Sequence, residues 1–374
     1  MNVLVIMGKN KPGMLRTILG VDRALLGKGF NFYYFLSNDK YMDGLDFNRR
    51  NIETIGYMSS LRSFPGVVLG GLIGLLKGKN ALKRWDIDII YNYTLSTLPF
   101  CLLLSKISGI PYLAGVRNAY EGDGKRYRKY LLHYAKNILA VSQDTMNCVE
   151  QMLGENTDKA NRYLAYNGID TKYFDSFEHA GRPEEFSQFS DKDLIVGMVA
   201  AMNPEKDPQF LLKIAGKIVY KYPNVKFVFI GGFHDSSYEK ETMDLLKKLS
   251  LENNAFFLGI KNPVQAYFFH MDILVHPTWR KEAFGLVLAE AMYYKKPIVA
   301  SRIGGIPEIV EDNNTGILCE PGNEEEFTEA LERLISDNQL RSRMGEKGKK
   351  RVNALFSMDS LSGSLAAIFK KIVN

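Results

Sequence analysis

Cysteine is scarce in this chain. Its 374 residues hold three, Cys101, Cys148 and Cys319, far apart and with no Cys-x-x-Cys pair. That excludes a disulfide scaffold and a zinc ribbon and favours a reducing compartment. Histidine is nearly as rare. His133, His179, His234, His270 and His276 form no HExxH and no His–Cys cluster, so the spacing offers no metal site. There is no Gly-x-Ser-x-Gly. Lys77-Gly78-Lys79-Asn80 lacks both the earlier glycine and the final Ser or Thr of a phosphate loop. Long apolar runs are missing too: the longest, Phe64 to Leu76, covers 13 residues, short of the ~20 that a spanning helix needs. A polytopic membrane protein is therefore excluded. The opening MNVLVIMG has no basic flank and reads as a first strand rather than a signal peptide.

What is present is an ordinary globular composition, 46% hydrophobic and 24% charged. The length exceeds one compact core and fits two domains. The formal net charge of +6 is unevenly spread. Residues 1–180 carry 23 Lys and Arg against 16 Asp and Glu, whereas residues 181–374 carry 25 against 26. A basic half can meet nucleic acid, an anionic membrane or an acidic substrate. Nucleic acid is the weakest of these, because the basic residues are not interleaved into a reading motif.

Short apolar runs alternate with amphipathic stretches. In the first half, VLVIM (3–7), FNFYYFL (30–36), IDIIYNY (87–93), IPYLAGV (110–116) and NILAVS (137–142) predict strands. Leu15, Ile18, Leu19, Asp22, Leu25 and Leu26 predict a helix stopped by Gly29. Residues 175–193 are polar and irregular, as a linker would be. A second series follows: LIVGMVA (194–200), VKFVFIGG (225–232), AFFLGI (255–260), DILVHP (272–277) and PIVAS (297–301). Asn323 with Glu326 predicts a helix cap ahead of the apolar face Phe327, Ala330, Leu331, Leu334 and Ile335. Such alternation means βαβ units on parallel sheets, hence an α/β chain of two doubly wound domains.

The most informative segment is RKEAFGLVLAEAM, 280–292. Glu282 precedes a Phe284-Gly285-Leu286 turn that opens a helix. First-turn amides are unpaired and the helix dipole is positive there, so the turn suits a diphosphate, and Gly285 permits close approach. Helical side chains lean toward the N-terminus, so Glu290 can reach diol hydroxyls beside the phosphates. Two carboxylates flanking an anion site suit hydroxyls, which suggests a nucleotide sugar. The alternative is an amphipathic helix with two solvated acids.

Glu-x7-Glu with FGL inside resembles the signature of retaining glycosyltransferases of family 4, which have the GT-B fold, two Rossmann-like domains facing each other across a cleft. The resemblance implies that Glu282 contacts the donor sugar, that the backbone of Phe284, Gly285 and Leu286 binds the diphosphate, and that Glu290 holds the ribose. GMVAAMNPEKDPQFLLKIA (197–215) is similar to the family segment that supplies an Arg and a Lys to the donor phosphates. Lys206 matches the Lys, but Ala201 stands at the Arg position. SRIGGIPEIVEDNNTGIL (301–318) resembles the GGxPE loop, which puts Gly304 and Gly305 at the donor, with Pro307 at a helix N1 position. YNGIDTKYF (166–174) and AVSQDT (140–145) resemble two further segments of the family. The likeness is strong over 195–335 and thin over 1–135.

In the first half, Gly13 keeps one of two glycines usual after the first strand, where it lines the acceptor cleft or makes a plain turn. Asn92 and Tyr93 replace a common His, and Arg117-Asn118 replace another. Arg117 either holds an anion, offsetting Ala201, or is a surface residue. His276 reads as a buried, satisfied histidine. The resemblance thus implies an acceptor-binding domain over 1–175, a donor-binding domain over 176–356 and a last helix, about 357–374, packed back on the first. It implies transfer of a sugar from a UDP- or GDP-linked donor to a carbohydrate or lipid-linked acceptor in surface polysaccharide or glycoconjugate synthesis. Catalysis would use Glu282, Lys206, Arg117 and Asn118, with no metal and no other cofactor. A nucleotide-sugar epimerase and a catalytically weak nucleotide-sugar-binding subunit remain as alternatives. A cytoplasmic chain is expected, peripheral at the membrane's inner face if Phe64–Leu76 and the bases after it (Lys77, Lys79, Lys83, Arg84), or KRYRKYLLHYAK (125–136), rest on anionic lipid. The alternative for 64–76 is a buried helix with a solvated basic end.

Overall fold

The computed structural model describes residues 1–8, 12–36, 52–54, 64–118, 132–154, 159–177 and 181–374, with side chains described throughout except at 12–14, 54 and 64–73. The chain divides into two compact units. One comprises Met1–Gly168 with Met358–Asn374, the other Ile169–Ser357.

In the first unit, β1 (Asn2–Met7), β2 (Asn31–Leu36), β3 (Ile52–Thr54), β4 (Ile89–Asn92), β5 (Tyr112–Val116), β6 (Asn137–Ala140) and β7 (Asn161–Leu164) form one parallel sheet in the order β3-β2-β1-β4-β5-β6-β7. Alternate side chains of β1 go to opposite faces. Val3, Val5 and Met7 meet Leu15, Ile18 and Leu19 of the helix Pro12–Leu25 and Leu365 and Phe369 of the helix Met358–Val373. Leu4 and Ile6 meet Ala81 and Leu82 of the helix Phe64–Arg84 and Leu104 of the helix Leu98–Ser108. Both faces are covered, as a parallel sheet requires. The helix Met358–Val373 lies so close on Pro12–Leu25 that a Cβ at Gly20 would come 2.4 Å from the Met358 Cε.

In the second unit, β8 (Leu194–Val199), β9 (Val225–Ile230), β10 (Ala255–Gly259), β11 (Ile273–His276), β12 (Ile298–Ser301) and β13 (Gly316–Cys319) form a parallel sheet in the order β10-β9-β8-β11-β12-β13. Each order runs outward one way from its first strand and then resumes on the other side. The switch points lie between β1 and β4 and between β8 and β11, where such sheets bind ligands beyond the carboxyl ends of the strands.

Three expectations need correction. The units divide at 168/169 rather than at 175. The short helix Thr171–Asp175 belongs to the second unit, where the Phe174 ring stacks on Tyr294 at 5.7 Å and the Tyr294 hydroxyl donates to the Phe174 carbonyl at 2.8 Å. The supposed linker, though largely exposed, is anchored to the second unit: Phe186 is fully buried against Tyr267, and Glu185 accepts from the Tyr267 hydroxyl at 2.8 Å and pairs with Lys261. His179 lies outside the described residues. Finally, Pro307 is the second residue of the helix Ile306–Ile309, not the first.

Candidate active site

The segments after β8, β11 and β12 converge at the second switch point. After β8, Asn203 makes a tight turn: its carbonyl accepts from the amides of Lys206 and Asp207, each at 3.1 Å, and its Oδ1 from Lys206 N, also at 3.1 Å. Asp207 then caps the helix Pro208–Lys221, its Oδ1 accepting from Phe210 N at 3.0 Å. Lys206 is thereby fixed between a turn and a helix cap.

After β11, the chain is laced to that turn. The buried Thr278 hydroxyl donates to the Glu205 carbonyl at 2.9 Å, the Trp279 indole to the Pro204 carbonyl at 2.5 Å, and Arg280 pairs with Glu205. After β12, the backbone passes so close to Glu282 that a Cβ at Gly304 would come 2.5 Å from the Glu282 carbonyl oxygen. Gly304 has φ +59°, and Gly305 N donates to the same oxygen at 2.8 Å. Gly304 is needed because it closes on a backbone, not only because the loop is tight.

The result brings Lys206 and Glu282 into an ion pair. Lys206 is largely buried, and that desolvation, helped by the nearby Arg280 charge and opposed by Glu205, pulls its pKa down to about 8. His276, 2% exposed, sets its Nε2 3.4 Å from Glu282 Oε1. Burial and the Lys206 charge push it down to about 3, so it is neutral. The expected satisfied histidine is not observed: among the described residues neither ring nitrogen has a hydrogen-bond partner.

Beyond Glu282, the Phe284 ring is buried edge-on against Phe356, centroids 5.5 Å apart, which anchors the turn. Gly285, at φ +86°, precedes the helix Leu286–Tyr293, and among the described residues no side chain caps the start of that helix. Leu288 N donates to the Gly285 carbonyl at 3.0 Å, so the amides at the positive end of the helix dipole that lie ahead of it are those of Leu286 and Val287, four and five residues after Glu282. Glu290 lies one turn in and is half-buried.

The remaining candidates lie in the first unit. Asn92 ends β4 and is fully buried, with its amide donating to the Thr94 carbonyl at 2.9 Å and accepting from the Thr97 hydroxyl at 2.7 Å, so both ends serve its own turn. Gly13 is the second residue of the helix Pro12–Leu25. The glycine demanded by close packing after β1 is instead Gly8, where a Cβ would come 2.4 Å from Ser96 Oγ. Arg117 is not a free surface residue. It donates to Asn167 Oδ1 at 2.6 Å and to the Tyr91 hydroxyl at 2.5 Å, and lies 3.7 Å over the Tyr93 ring. Its Nε is buried without a partner among the described residues. Asn118, next along, is exposed. Among the described residues no group of three or more His, Cys, Asp or Glu could hold a metal ion, and no helix is long and apolar enough to cross a membrane.

The contribution of Glu205, Thr278, Trp279 and Arg280 has no sequence signal, since each contact joins residues more than 70 positions apart.

Comparison with known proteins adds the following. The family model described as glycosyl transferases group 1 matches residues 182–351, all within the second unit. N-acetyl-alpha-D-glucosaminyl L-malate synthase of Bacillus anthracis is 26% identical over 236 residues, 63% of this chain and 60% of that protein, so under two thirds of that relative's length is matched. Alpha-D-kanosaminyltransferase of Streptomyces kanamyceticus is 23% identical over 355 residues, 86% of this chain and 88% of that one. Among solved structures, a glycosyltransferase from Rickettsia africae ESF-5 superposes with TM-score 0.83 at 21% identity, covering 100% of this chain and 98% of that one. Anabaena Alr3699/HepE in complex with UDP-glucose does so with TM-score 0.81 at 21% identity, covering 99% and 100%. The fold is GT-B.

Proposed function

We propose that this chain, whose residues 182–351 match the glycosyl transferases group 1, moves a sugar from a nucleotide-diphosphate donor to an acceptor hydroxyl with retention at the anomeric carbon. The observation that carries this reading is the meeting of Lys206 and Glu282 in front of an uncapped helix start at the switch point of the second sheet. One cation and a row of amides suit a diphosphate; a carboxylate beside them suits sugar hydroxyls.

In this mechanism the bond from the anomeric carbon to the diphosphate oxygen breaks while the acceptor oxygen attacks on the same face. The departing diphosphate takes the acceptor's proton. No side-chain nucleophile is required. Lys206 and the amides of Leu286 and Val287 stabilise the leaving charge, Glu282 orients the sugar, and Glu290 binds the ribose diol. Because these groups already face the diphosphate, transfer is independent of divalent metal.

A UDP-linked donor is favoured by the UDP-glucose bound in the Anabaena relative. The first unit is assigned to the acceptor, where Arg117, with no carboxylate partner among the described residues, suits an anionic one. An acid is also named in two relatives, the L-malate synthase and D-inositol 3-phosphate glycosyltransferase of Corynebacterium glutamicum. A place in surface polysaccharide synthesis is favoured by 26% identity to the capsular polysaccharide biosynthesis glycosyltransferase CapM of Staphylococcus aureus. Peripheral membrane contact is favoured by the helix Phe64–Arg84, whose Leu76 is exposed next to exposed Lys77 and Lys79; residues 125–131 of the second basic stretch lie outside the described residues.

The test is calorimetry across UDP- and GDP-sugars, followed by a transfer assay with the tightest donor in excess EDTA. Binding of one donor and transfer that survives EDTA are expected. No binding across the panel refutes the function; abolition by EDTA with rescue by Mg²⁺ or Mn²⁺ refutes metal independence.

A further inference from the structure

His276 is a polar side chain where the fold has no use for one. It ends β11, all four residues of which are buried, and it pairs in register with Ala300 of β12. Neither nitrogen finds a hydrogen-bond partner among the described residues, and a buried polar group left unsatisfied destabilises its protein. An apolar residue of similar size would fill the position better. The imidazole nevertheless sits 3.4 Å from the one carboxylate oxygen that also holds Lys206, close enough to touch but outside hydrogen-bond geometry.

We propose that His276 is a positioning residue that takes over Glu282 when an incoming diphosphate draws Lys206 away. The inference rests on the function proposed above. In the ligand-free chain Glu282 is held by Lys206. A donor that recruits Lys206 to its phosphates strips Glu282 of that partner just as Glu282 must aim at the sugar. A small swing of the carboxylate then brings Oε1 onto the Nε2–H of a neutral imidazole. Being neutral, His276 can hold Glu282 without competing with Lys206 for the phosphates. The unsatisfied nitrogens of the resting state are a hydrogen bond held in reserve.

The experiment uses the full chain, with His276→Leu and His276→Gln. The probe is the tightest-binding of UDP-glucose, UDP-N-acetylglucosamine and GDP-mannose, titrated by calorimetry against its own nucleoside diphosphate. Without ligand, the Leu variant should melt at the wild-type temperature or a few degrees above it. Its affinity for the nucleoside diphosphate should stay within about twofold, while that for the nucleotide sugar falls roughly tenfold or more, as for a lost hydrogen bond to a charged group. Gln, which can place an N–H near the Nε2 position, should recover most of that loss. Unchanged sugar-donor affinity in the Leu variant overturns the proposal. So does equal loss of both ligands, a lowered melting temperature or failure of Gln to rescue. Wild-type protein that binds neither ligand overturns the proposed function, and this inference with it; wild-type binding with an unaffected Leu variant overturns this inference alone.

Discussion

Replacing Gly304 by alanine should cost more than its backbone conformation alone explains. At φ +59° any L-residue is strained, by about 1–2 kcal/mol. The added Cβ would also lie 2.5 Å from the Glu282 carbonyl oxygen and 2.9 Å from the Glu282 nitrogen. Both are backbone atoms, fixed by the contacts around Glu282, so the loop must shift and the 2.8 Å bond from Gly305 N to Glu282 is put at risk. Overpacking of that kind adds about 1–3 kcal/mol. Gly322 supplies the control: it has φ +77° but nothing within 4 Å of its Cβ position, so Gly322→Ala incurs the conformational cost alone. The entropy that alanine removes from the unfolded chain is common to both and cancels. Urea unfolding of the two variants should therefore differ by at least about 1 kcal/mol, with Gly304→Ala the weaker. Calorimetry should show the same variant losing affinity for nucleotide sugar, since Glu282 is what the loop displaces. Equal destabilisation, or a Gly304→Ala variant that binds the donor like wild type, would refute the idea that this loop is shaped around Glu282.

Glu290→Ala is expected to weaken nucleotide sugar and free nucleotide alike, and Glu282→Ala only the sugar-bearing donor, each by ~1.5–3 kcal/mol; calorimetry showing equal loss of both ligands in both variants would sink the assignment. Lys206, held at about 8, loses its charge as pH rises through that value, so nucleoside-diphosphate affinity should decline from pH 8 toward 10 in wild type and show no such decline in Lys206→Ala. The sign for stability is opposite. A lysine whose folded pKa lies below its unfolded value favours the fold more as pH climbs from about 8 toward the unfolded value near 10.4, so any destabilisation of wild type across that window must come from other groups. Co-sedimentation with liposomes at low salt should show binding to anionic but not neutral lipid, reduced by neutralising Lys77, Lys79, Lys83 and Arg84; negligible binding to both lipids ends the membrane proposal.

The parallel architecture was legible because buried strands such as VLVIM and LIVGMV are apolar throughout, and each is followed by a helical stripe. Where that signal fails, the reason is local. β7 reads NRYL and is mostly exposed, so no apolar pattern marks it. The helix Asn338–Leu355 has only a sparse apolar stripe, Leu340, Met344 and Val352, because the rest of its buried face is glycine: a Cβ at Gly345 would lie 2.0 Å from the Lys295 carbonyl oxygen, and Gly348 packs on Met292. In the site, the Glu282-to-Glu290 spacing and the partner Lys206 could be read from the chain because each sits in a contiguous motif. That Lys206 and Glu282 pair with one another could not, nor could the lacing of Glu205 to Thr278 and Arg280, since sheet order alone brings those segments together. His276 was misread for the same reason, its surroundings being set by residues distant in sequence.

The route of the chain through the two units decides which is finished first during synthesis. The second unit is an unbroken stretch whose ends meet, Ile169 N donating to the Phe356 carbonyl at 2.8 Å, so everything it needs emerges from the ribosome together. The first unit, begun earlier, waits: the sheet face that carries Val3, Val5 and Met7 has Leu15, Ile18 and Leu19 against it early, but lacks the rest of its cover until Leu361, Leu365 and Phe369 have been made. The usual order, in which N-terminal domains fold first, is reversed here for final closure. Until the helix Met358–Val373 has been made, a nascent chain carries a completed second unit and a first unit whose sheet face is only partly covered.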